Sequence, residues 1–274
     1  MHNHSWRLIH TLPANGAWNM ALDEAILEAV GSGESPPTLR LYSWDPPCLS
    51  LGYAQPASDI DRNALAQNGW DWVRRPTGGR AILHTDELTY SVIAPLDEPR
   101  VRGTILESYR RLSAALLAAL KILGLPAQAD KEYALPQGSQ VNAPVCFEVP
   151  SNYEITVHGF KLIGSAQARR NKGVLQHGSL PLHGDLSRIT RALQFATPSE
   201  RATAAERLLT RATTVEATLG YRISWQQAAL AFEKAFRQVL EIDLVPHKPS
   251  PAELNRCLQL IQEKYANDAW TLRG

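Results

Sequence analysis

The chain has little cysteine and no metal-binding spacing, which excludes two common kinds of small-protein scaffold. Its 274 residues include only three cysteines, Cys48, Cys146 and Cys257, an odd number at wide separations. This pattern fits neither a disulfide framework nor a four-cysteine zinc site, and no CxxC or HxxxH spacing occurs. We therefore expect reduced thiols and no bound metal.

Long hydrophobic runs and an excess of one charge are also missing. The opening residues, MHNHSWRLIHTLPANG, lack the apolar core of a signal peptide, and no apolar run approaches the roughly 18 residues that span a bilayer. The 28 Lys and Arg residues nearly balance the 27 Asp and Glu residues, which gives a formal net charge of +1. We expect a cytoplasmic protein that binds neither membranes nor nucleic acid.

What the chain does have is a mixture of strand and helix patterns, which predicts an α+β fold. Apolar residues at helical spacing predict one helix after Gly16 that stops at Gly31 and a second over Thr104 to Leu123. His158 and Gly159 fit the loop of a two-residue hairpin. Strand formers predict strands at Thr38 to Tyr42, Leu49 to Gly52, Asp71 to Arg75, Glu87 to Ala94, Tyr153 to Val157, Phe160 to Ile163 and Val174 to Leu182.

From Leu186 onward the pattern is helical. Capping boxes predict helices over Trp225 to Leu240 and Ala252 to Tyr265, and a polar helix over Asp59 to Gln67 is expected with Ser58 as its N-cap. No repeat or compositional break divides the chain. The only expected hinge is the proline-rich connector Val245 to Pro251, which separates a final helix.

A glycine-rich turn in RRPTGGR, residues 74–80, admits two interpretations. It lies between two predicted strands and lacks Gly-Lys-Ser/Thr, so it is not a P-loop. Gly78 and Gly79 either permit a tight turn between solvated arginines or let the backbone approach a ligand. In the second case Arg74 and Arg75 attract a phosphate or an acidic partner.

Cys146 is the residue with the strongest case for reactivity. Cys48 and Cys257 lie in apolar patterns and are expected to be buried structural thiols. Cys146 instead lies between Pro144 and Pro150 among polar residues, where core packing does not explain it. A nearby cation such as Lys161 favours a reactive thiolate, although Lys161 also fits an ordinary solvated strand lysine, and His84 and His177 fit ordinary structural histidines.

Several motifs together resemble one family. They are RRPTGGRAILHTDELTYSV, CFEVPSNYEI and GFKLIGSAQARRNKGVLQHGSL, with NMALDEAI and LRLYSWDPPCLSLGYAQ near the start and KYANDAWTLR near the end. The set is similar to the lipoate-protein ligase A and octanoyltransferase family, and within it to the LipM-type octanoyltransferases. The resemblance spans nearly the whole chain.

This resemblance implies a fold, a reaction and a domain organisation. The implied fold is the biotin/lipoate protein ligase catalytic fold, related to class II synthetases, with mixed sheets flanked by helices. The implied reaction moves an octanoyl group from octanoyl-acyl carrier protein to a lysine of a lipoyl domain, such as the glycine cleavage H protein. We expect a catalytic domain over 1–248, a C-terminal helix over 249–274 packed on the same domain, and a monomer.

The resemblance also implies roles for individual residues. Cys146 matches the acyl-accepting cysteine and Lys161 the lysine that faces the acyl group, which makes these two the expected catalytic pair. No ATP or metal is required, because a thioester is already activated. The expected substrate-binding residues are Arg74, Arg75, Thr77, Gly78, Gly79, His84, Gly164, Ser165, Ala166, Gln176, His177 and Gly178.

Three alternatives remain open at this point. An ATP-dependent lipoate-protein ligase shares the fold, but usually needs an accessory C-terminal domain and no nucleophilic cysteine. An amidotransferase would move octanoyl between lipoyl-domain proteins through the same cysteine. A non-catalytic acyl-sensing protein on this fold is disfavoured by the presence of both Cys146 and Lys161.

Overall fold

The computed structural model describes residues 5–130 and 154–273, which form two β-sheets flanked by helices. The strands are β1 (Ser5–His10), β2 (Thr38–Tyr42), β3 (Cys48–Leu51), β4 (Asp71–Arg74), β5 (Ile82–His84), β6 (Glu87–Pro95), β7 (Ala127–Asp130), β8 (Glu154–Val157), β9 (Phe160–Arg170), β10 (Gly173–Pro181) and β11 (Asp243–His247). The larger sheet has the order β11-β1-β2-β6-β10-β9-β8-β7, and the smaller has the order β4-β3-β5. Both sheets mix parallel and antiparallel pairs.

The helices begin at side-chain caps that the sequence supplies. They are α1 (Gly16–Gly31), α2 (Arg62–Gln67), α3 (Ile105–Ile122), α4 (Pro198–Leu209), α5 (Val215–Leu219), α6 (Trp225–Leu240), α7 (Pro251–Leu260) and α8 (Asp268–Thr271). Capping boxes at Thr104, Ser224 and Ser250 open α3, α6 and α7. Each box satisfies backbone N–H groups that the first helical turn leaves without partners.

The helices cover both faces of the larger sheet. On one face α1 packs against β2, β6 and β10, and α7 lies over α1, so that Cys257 joins the same apolar cluster as Ile26. On the other face α3 and α6 pack together over a second cluster that contains Leu116 and Phe232. The sheet is therefore buried on both sides, and polar residues on its strands are removed from water.

The smaller sheet lies beside the larger one and shares its apolar core. Cys48 on β3 and Val73 on β4 pack against α1, whereas Leu49 and Leu51 face a third cluster with α2 and α4. The glycine-rich turn joins β4 to β5, so this sheet places the turn close to residues of β9 and β10.

Most predicted elements are confirmed, but the polar helix was placed wrongly. The helix begins at Arg62 with Asp61 as its N-cap, and Ala57–Asp59 form a separate 3-10 turn. Asp61 Oδ1 accepts a hydrogen bond from the backbone N–H of Ala64, so Asp61 caps the helix instead of the predicted Ser58. Three further strands, β1, β5 and β7, were not predicted, and β9 extends seven residues beyond the predicted Ile163.

The connector before the last helix contains a strand that the sequence pattern did not predict. β11 pairs in parallel with β1 in a register that places Pro246 opposite Leu8. Proline cannot donate to a β-ladder, and β11 accommodates it because it is an edge strand. The interpretation of Val245 to Pro251 as a hinge is therefore wrong for its first three residues. The division of the chain at residue 248 stays a prediction.

Candidate functional site

A cavity of about 620 Å³ opens where the two sheets meet. This is an ordinary volume for a pocket that binds a small organic ligand. Its most buried apolar and aromatic wall residues, here called the inner end, are Met20, Tyr42 and Trp44, with the partly buried Ile82. The rest of the wall comes from the glycine-rich turn, the loop Tyr53–Gln55 and the strands β9 and β10.

Arg75 shapes the glycine-rich turn from within. Its guanidinium donates to the carbonyl oxygens of Gly78 at 2.8 Å, Arg80 at 2.8 Å and Ser50 at 2.9 Å. The side chain is buried, so the interpretation of this arginine as solvated is wrong. These hydrogen bonds fix the backbone of the turn, and the charge of Arg75 lies next to the cavity.

The turn also depends on a close approach between two glycines. A Cβ atom on Gly52 would overlap the carbonyl oxygen of Gly79, and Gly79 itself has a φ of +93°. Larger residues are strained in that backbone region. The two glycines therefore let the turn lie directly against the end of β3.

His84 sits in a buried polar network at the inner end. Its Nδ1 lies 2.8 Å from Glu87 Oε1, and its Nε2 lies 2.8 Å from Ser50 Oγ. The ring stacks on Trp44 with 4.0 Å between centroids. Burial alone would raise the pKa of Glu87, but His84, Thr89 and Ser179 outweigh that effect and lower it. Glu87 is therefore ionised at neutral pH.

His177 belongs to a second buried network, built around Asp23 on α1. Its Nε2 lies 2.6 Å from Thr77 Oγ1, and its Nδ1 lies 3.7 Å from Asp23 Oδ2. Burial lowers the pKa of His177 despite the opposing effect of Asp23. The imidazole is therefore neutral at neutral pH, with one ring nitrogen as a donor and the other as an acceptor.

Asp23 is in turn neutralised by Arg40. The Arg40 guanidinium donates to Asp23 Oδ1 at 2.6 Å and lies 3.8 Å above the Tyr42 ring. Burial would raise the pKa of Asp23, but Arg40, the neighbouring His177 and a hydrogen bond from Ser91 lower it overall. The carboxylate thus remains charged although it is completely buried.

Lys161 lies on the cavity wall and is almost completely buried, with 4% of its surface exposed. Its Nζ donates to Glu154 Oε1 at 2.6 Å across the β8–β9 hairpin. Its backbone is fixed as well, because its N–H donates to Arg211 and its carbonyl accepts from Thr213. The interpretation of Lys161 as a solvated strand residue is therefore wrong.

The GSA and HGS segments of β9 and β10 meet across an antiparallel ladder. Gly164, Ser165 and Ala166 pair with Ser179, Gly178 and His177, and all six line the cavity. A Cβ atom on Gly178 would lie 2.5 Å from the Gly164 carbonyl oxygen and 2.7 Å from the Tyr90 ring. Only glycine fits there, so the backbone forms this part of the wall.

Three predicted substrate-binding residues do not line the cavity. Arg74 is buried and donates to the backbone carbonyls of Gly52 and Thr271. The Thr77 side chain contacts His177, which does line the cavity. Gln176 faces the opposite side of the sheet and bonds to Gln167 and Tyr90. The role of these residues in substrate binding stays a prediction.

The described part of the cavity wall is cationic. Five basic side chains line it: Arg75, Arg80, Lys161, Arg169 and Arg170. Among residues 5–130 and 154–273, no carboxylate lines it. Glu87, Asp23 and Glu154 lie one layer behind it as partners of His84, Arg40 and Lys161. The described surface of the cavity is therefore positively charged, and the carboxylates that balance part of this charge do not line it.

Cys146 lies outside the described residues, so its assignment as a nucleophile stays a prediction. The other two thiols are buried, as predicted. Burial raises the pKa of Cys48 well above its ordinary value, with Asp71 and Glu87 adding to the effect. Burial likewise raises the pKa of Cys257 to about 11. Neither is a nucleophile at neutral pH.

The sequence reasoning missed the carboxylates behind the wall and the loop Tyr53–Gln55. Glu154 could have been found from its opposite charge and its position across the hairpin from Lys161. Asp23 gave a weaker signal, because a charged residue on the apolar face of α1 indicates a buried partner without naming it.

The family model of the lipoyl protein ligase A/B catalytic domain matches residues 15–237. The chain belongs to this family. Within the family, the octanoyltransferase LipM of Symbiobacterium thermophilum is 40% identical over 98% of this chain and 98% of its own length. The octanoyltransferase LipM of Brevibacillus brevis is 40% identical over 98% of this chain and 99% of its own.

Solved structures of the lipoyl protein ligase A/B family share this fold. A bi-partite lipoate protein ligase from Thermoplasma acidophilum aligns with a TM-score of 0.82 at 25% identity, over 98% of this chain and 96% of that one. A lipoate-protein ligase A bound with ATP aligns with a TM-score of 0.77 at 27% identity, over 98% of both chains. The predicted family and the predicted biotin/lipoate ligase fold are confirmed.

Within residues 5–130 and 154–273, no helix is both long and apolar enough to cross a bilayer. The same residues contain no group of three or more His, Cys, Asp or Glu side chains placed to hold a metal ion.

Proposed function

We propose that the protein transfers an octanoyl group from octanoyl-acyl carrier protein to a lysine of a lipoyl domain, through a Cys146 acyl-enzyme. The relatives named octanoyltransferase LipM, at 36–40% identity over nearly the whole chain, support the reaction class. The cavity supports the substrate class. At ~0.8 kcal/mol per buried methylene, an octanoyl tail with about seven carbons gains on the order of 5 kcal/mol in an apolar pocket.

The observation that carries the proposal is the buried Lys161–Glu154 ion pair on the cavity wall. Burying the charge of a lysine costs free energy unless a partner of opposite charge compensates for it. Glu154 is that partner, because the two groups are 2.6 Å apart with 4% of each side chain exposed. An ammonium group beside an acyl cavity stabilises a thiolate or a developing oxyanion.

The reaction then proceeds in two balanced steps. The Cys146 thiolate attacks the octanoyl thioester, a new C–S bond forms, and the bond to the carrier breaks. The carrier sulfur leaves as a thiol with a proton from the Lys161 ammonium group, which becomes a neutral amine. The neutral amine of the acceptor lysine then attacks the acyl-enzyme. An amide C–N bond forms, the bond to Cys146 breaks to restore the thiolate, and Lys161 takes the proton lost from nitrogen and is again an ammonium group.

Cys48 and Cys257 are poor candidates for this nucleophile. Both are completely buried, and burial raises the pKa of each thiol. A free thiol with a pKa near ~8.5 is only a few per cent thiolate at neutral pH, and a higher pKa lowers that fraction further. The family motif that contains Cys146 therefore supplies the proposed acyl acceptor.

The proposal includes an ATP-independent reaction and a cytoplasmic monomer. A thioester donor is already activated, so neither a nucleotide nor a metal is required. The donor and the acceptor are both carrier domains that present their reactive group on a flexible arm. The cationic wall suits a donor whose arm carries a phosphate.

An ATP-dependent lipoate-protein ligase is the second candidate, because the solved ligases align over almost the whole chain. The bi-partite ligase is covered to 96% of its chain, so chain length does not separate the two activities. An octanoyl amidotransferase between lipoyl-domain proteins differs from the main proposal only in its donor. The identity of the donor and the need for ATP therefore decide among the three.

Intact mass spectrometry tests the proposal directly. The protein is incubated with octanoyl-acyl carrier protein, without ATP, and then with a lipoyl domain. We expect an octanoyl adduct that hydroxylamine removes, followed by an octanoylated lipoyl domain. Cys146→Ala should abolish both signals, whereas the matched control Cys257→Ala should retain them. Modification only with ATP and free acid would establish the ligase instead.

A further inference from the structure

We propose that the segment Trp270–Arg273 positions the outer wall of the acyl cavity, with Arg74 and Arg273 as positioning residues for donor binding. The outer wall is the loop Tyr53–Gln55, all three residues of which line the cavity. This inference rests on the proposed function, because it takes the cavity to be the acyl site. It assigns a role to KYANDAWTLR, the motif near the end of the sequence.

Arg74 joins the outer wall to the segment. Its Nη1 donates to the carbonyl oxygens of Gly52 at 3.0 Å and Gln55 at 2.5 Å. Its Nη2 donates to Thr271 at 3.0 Å and Arg273 at 2.5 Å. One completely buried guanidinium therefore fixes both stretches of backbone at once, and neither can move far without losing charge-assisted hydrogen bonds.

Arg273 makes a second link, at the surface. Its guanidinium lies 3.8 Å from the centroid of the Tyr53 ring and 3.7 Å from that of Trp270, so it contacts both rings, which meet edge to face at 5.8 Å. It also donates to the Tyr53 carbonyl oxygen at 3.0 Å. Tyr53 is 42% exposed, and the Arg273 contact orients its ring on the solvent side.

The segment is itself anchored to the body of the protein. Trp270 Nε1 donates to the backbone carbonyl of Arg74 at 2.9 Å. Lys264 lies 4.1 Å from the Trp270 ring and donates to Glu24 on α1 at 2.6 Å, and Tyr265 donates to the same carboxylate. Movement of the segment is therefore opposed by α1, the helix that also carries Asp23.

The outer wall joins no ladder and is held by individual hydrogen bonds. The Tyr53 N–H donates to the Thr77 carbonyl at 2.8 Å, the Gln55 N–H donates to the Gly52 carbonyl at 3.1 Å, and Gln55 Nε2 donates to Asp59 Oδ2 at 2.9 Å. A loop of this kind samples more conformations when side-chain contacts are removed. Loss of Arg273 should therefore widen the cavity mouth and weaken the hold on the donor, while the reacting groups on β9 stay in place.

Steady-state transfer with octanoyl-acyl carrier protein tests the inference through Arg273→Ala, Arg273→Lys and Trp270→Phe. For Arg273→Ala we expect the KM for the donor to rise roughly 3- to 10-fold, with kcat changed less than about 2-fold. Discrimination between octanoyl and decanoyl donors should also weaken. Trp270→Phe retains an aromatic face and should come closer to wild type, whereas Arg273→Lys keeps only the charge and should restore KM partly.

Arg100→Ala is the matched control. Arg100 also ties two chain segments together, through the carbonyls of Leu240 and Glu241, but it lies away from the cavity. It should leave KM unchanged, and thermal unfolding should show that each variant is folded. An unchanged KM and chain-length profile in folded Arg273→Ala would overturn the inference. Absence of any octanoyl adduct on the wild-type protein would instead overturn the proposed function.

Discussion

The inner and outer walls of the cavity are held in different ways. The inner wall consists of Ser50, His84, Lys161 and Ser179, which lie on paired strands. The buried carboxylates of Glu87 and Glu154 pair with His84 and Lys161. The outer wall, Tyr53–Gln55, is a loop that Arg74 and Arg273 hold from outside. Changes to the inner wall should therefore reduce stability or chemistry, and changes to the outer wall should reduce affinity.

The largest effect should come from Lys161 on the inner wall. Lys161→Ala removes the only ammonium group that we propose beside the acyl thioester, and acid–base and charge stabilisation contribute roughly 10²- to 10⁴-fold to such steps. We expect acyl-enzyme formation, measured by rapid-quench mass spectrometry, to slow by that factor. Lys172→Ala, in the exposed turn after β9, should have no effect. Normal rates in Lys161→Ala would remove Lys161 from the mechanism.

The next effect, on stability, concerns Asp23 behind the inner wall. Asp23→Asn leaves the buried charge of Arg40 without its partner, which typically costs about 3–5 kcal/mol of unfolding free energy. Asp86→Asn is the control, because its pair with Arg188 is about a third exposed and should cost at most about 1 kcal/mol. Urea denaturation measures both values, and equal losses would contradict the distinction between buried and exposed pairs.

Contacts between residues a few positions apart in the sequence could be predicted from the sequence, whereas contacts between residues far apart in the sequence could not. The capping boxes at Ser224 and Ser250 and the hairpin at His158 and Gly159 depend on residues a few positions apart, and each was predicted correctly. β11 is a strand only because Ser5–His10 lies beside it, more than 230 positions away in the sequence. A proline in that stretch disfavours a strand unless the strand is known to be an edge.

The same distinction applies to the site. The glycine-rich turn and the segments of β9 and β10 were predicted from motifs, and the structure brings most of them to one cavity. Arg74 was expected to meet the substrate, but its partners at Thr271 and Arg273 are about 200 positions away. Whether an arginine faces a ligand or a distant carbonyl is decided by tertiary packing, which motif spacing does not encode.

The pH dependence of stability should separate two titratable groups of the network around Asp23, His177 and Asp23 itself. The pKa of His177 is lowered by burial, with Arg75 and His84 adding to the effect and Asp23 opposing it. A lowered folded pKa means that its contribution is complete above the ordinary value of 6.5 and is lost as the pH falls through the folded value. Asp23 behaves in the same way below its ordinary value of 3.8.

We therefore expect two losses of unfolding free energy on acidification, one beginning below pH 6.5 and one below pH 3.8. His177→Gln should remove the first and Asp23→Asn should reduce the second. His247→Gln, at an exposed position on β11, is the control for the first. Denaturation curves collected from pH 8 to pH 3 measure both. A stability that stays constant down to pH 4 would show that His177 is not held neutral by burial.

The smallest effect should come from the outer wall, where Tyr53→Phe removes a hydroxyl but keeps the ring. Arg273 contacts the ring face and the backbone carbonyl of Tyr53, and phenylalanine provides both. We expect the KM for the donor to change less than about 2-fold in Tyr53→Phe but several-fold in Tyr53→Ala, which loses the cation–π contact. If Tyr53→Phe weakened donor binding as much as Tyr53→Ala, the hydroxyl itself would contact the donor, and the outer wall would act by direct recognition rather than by its position.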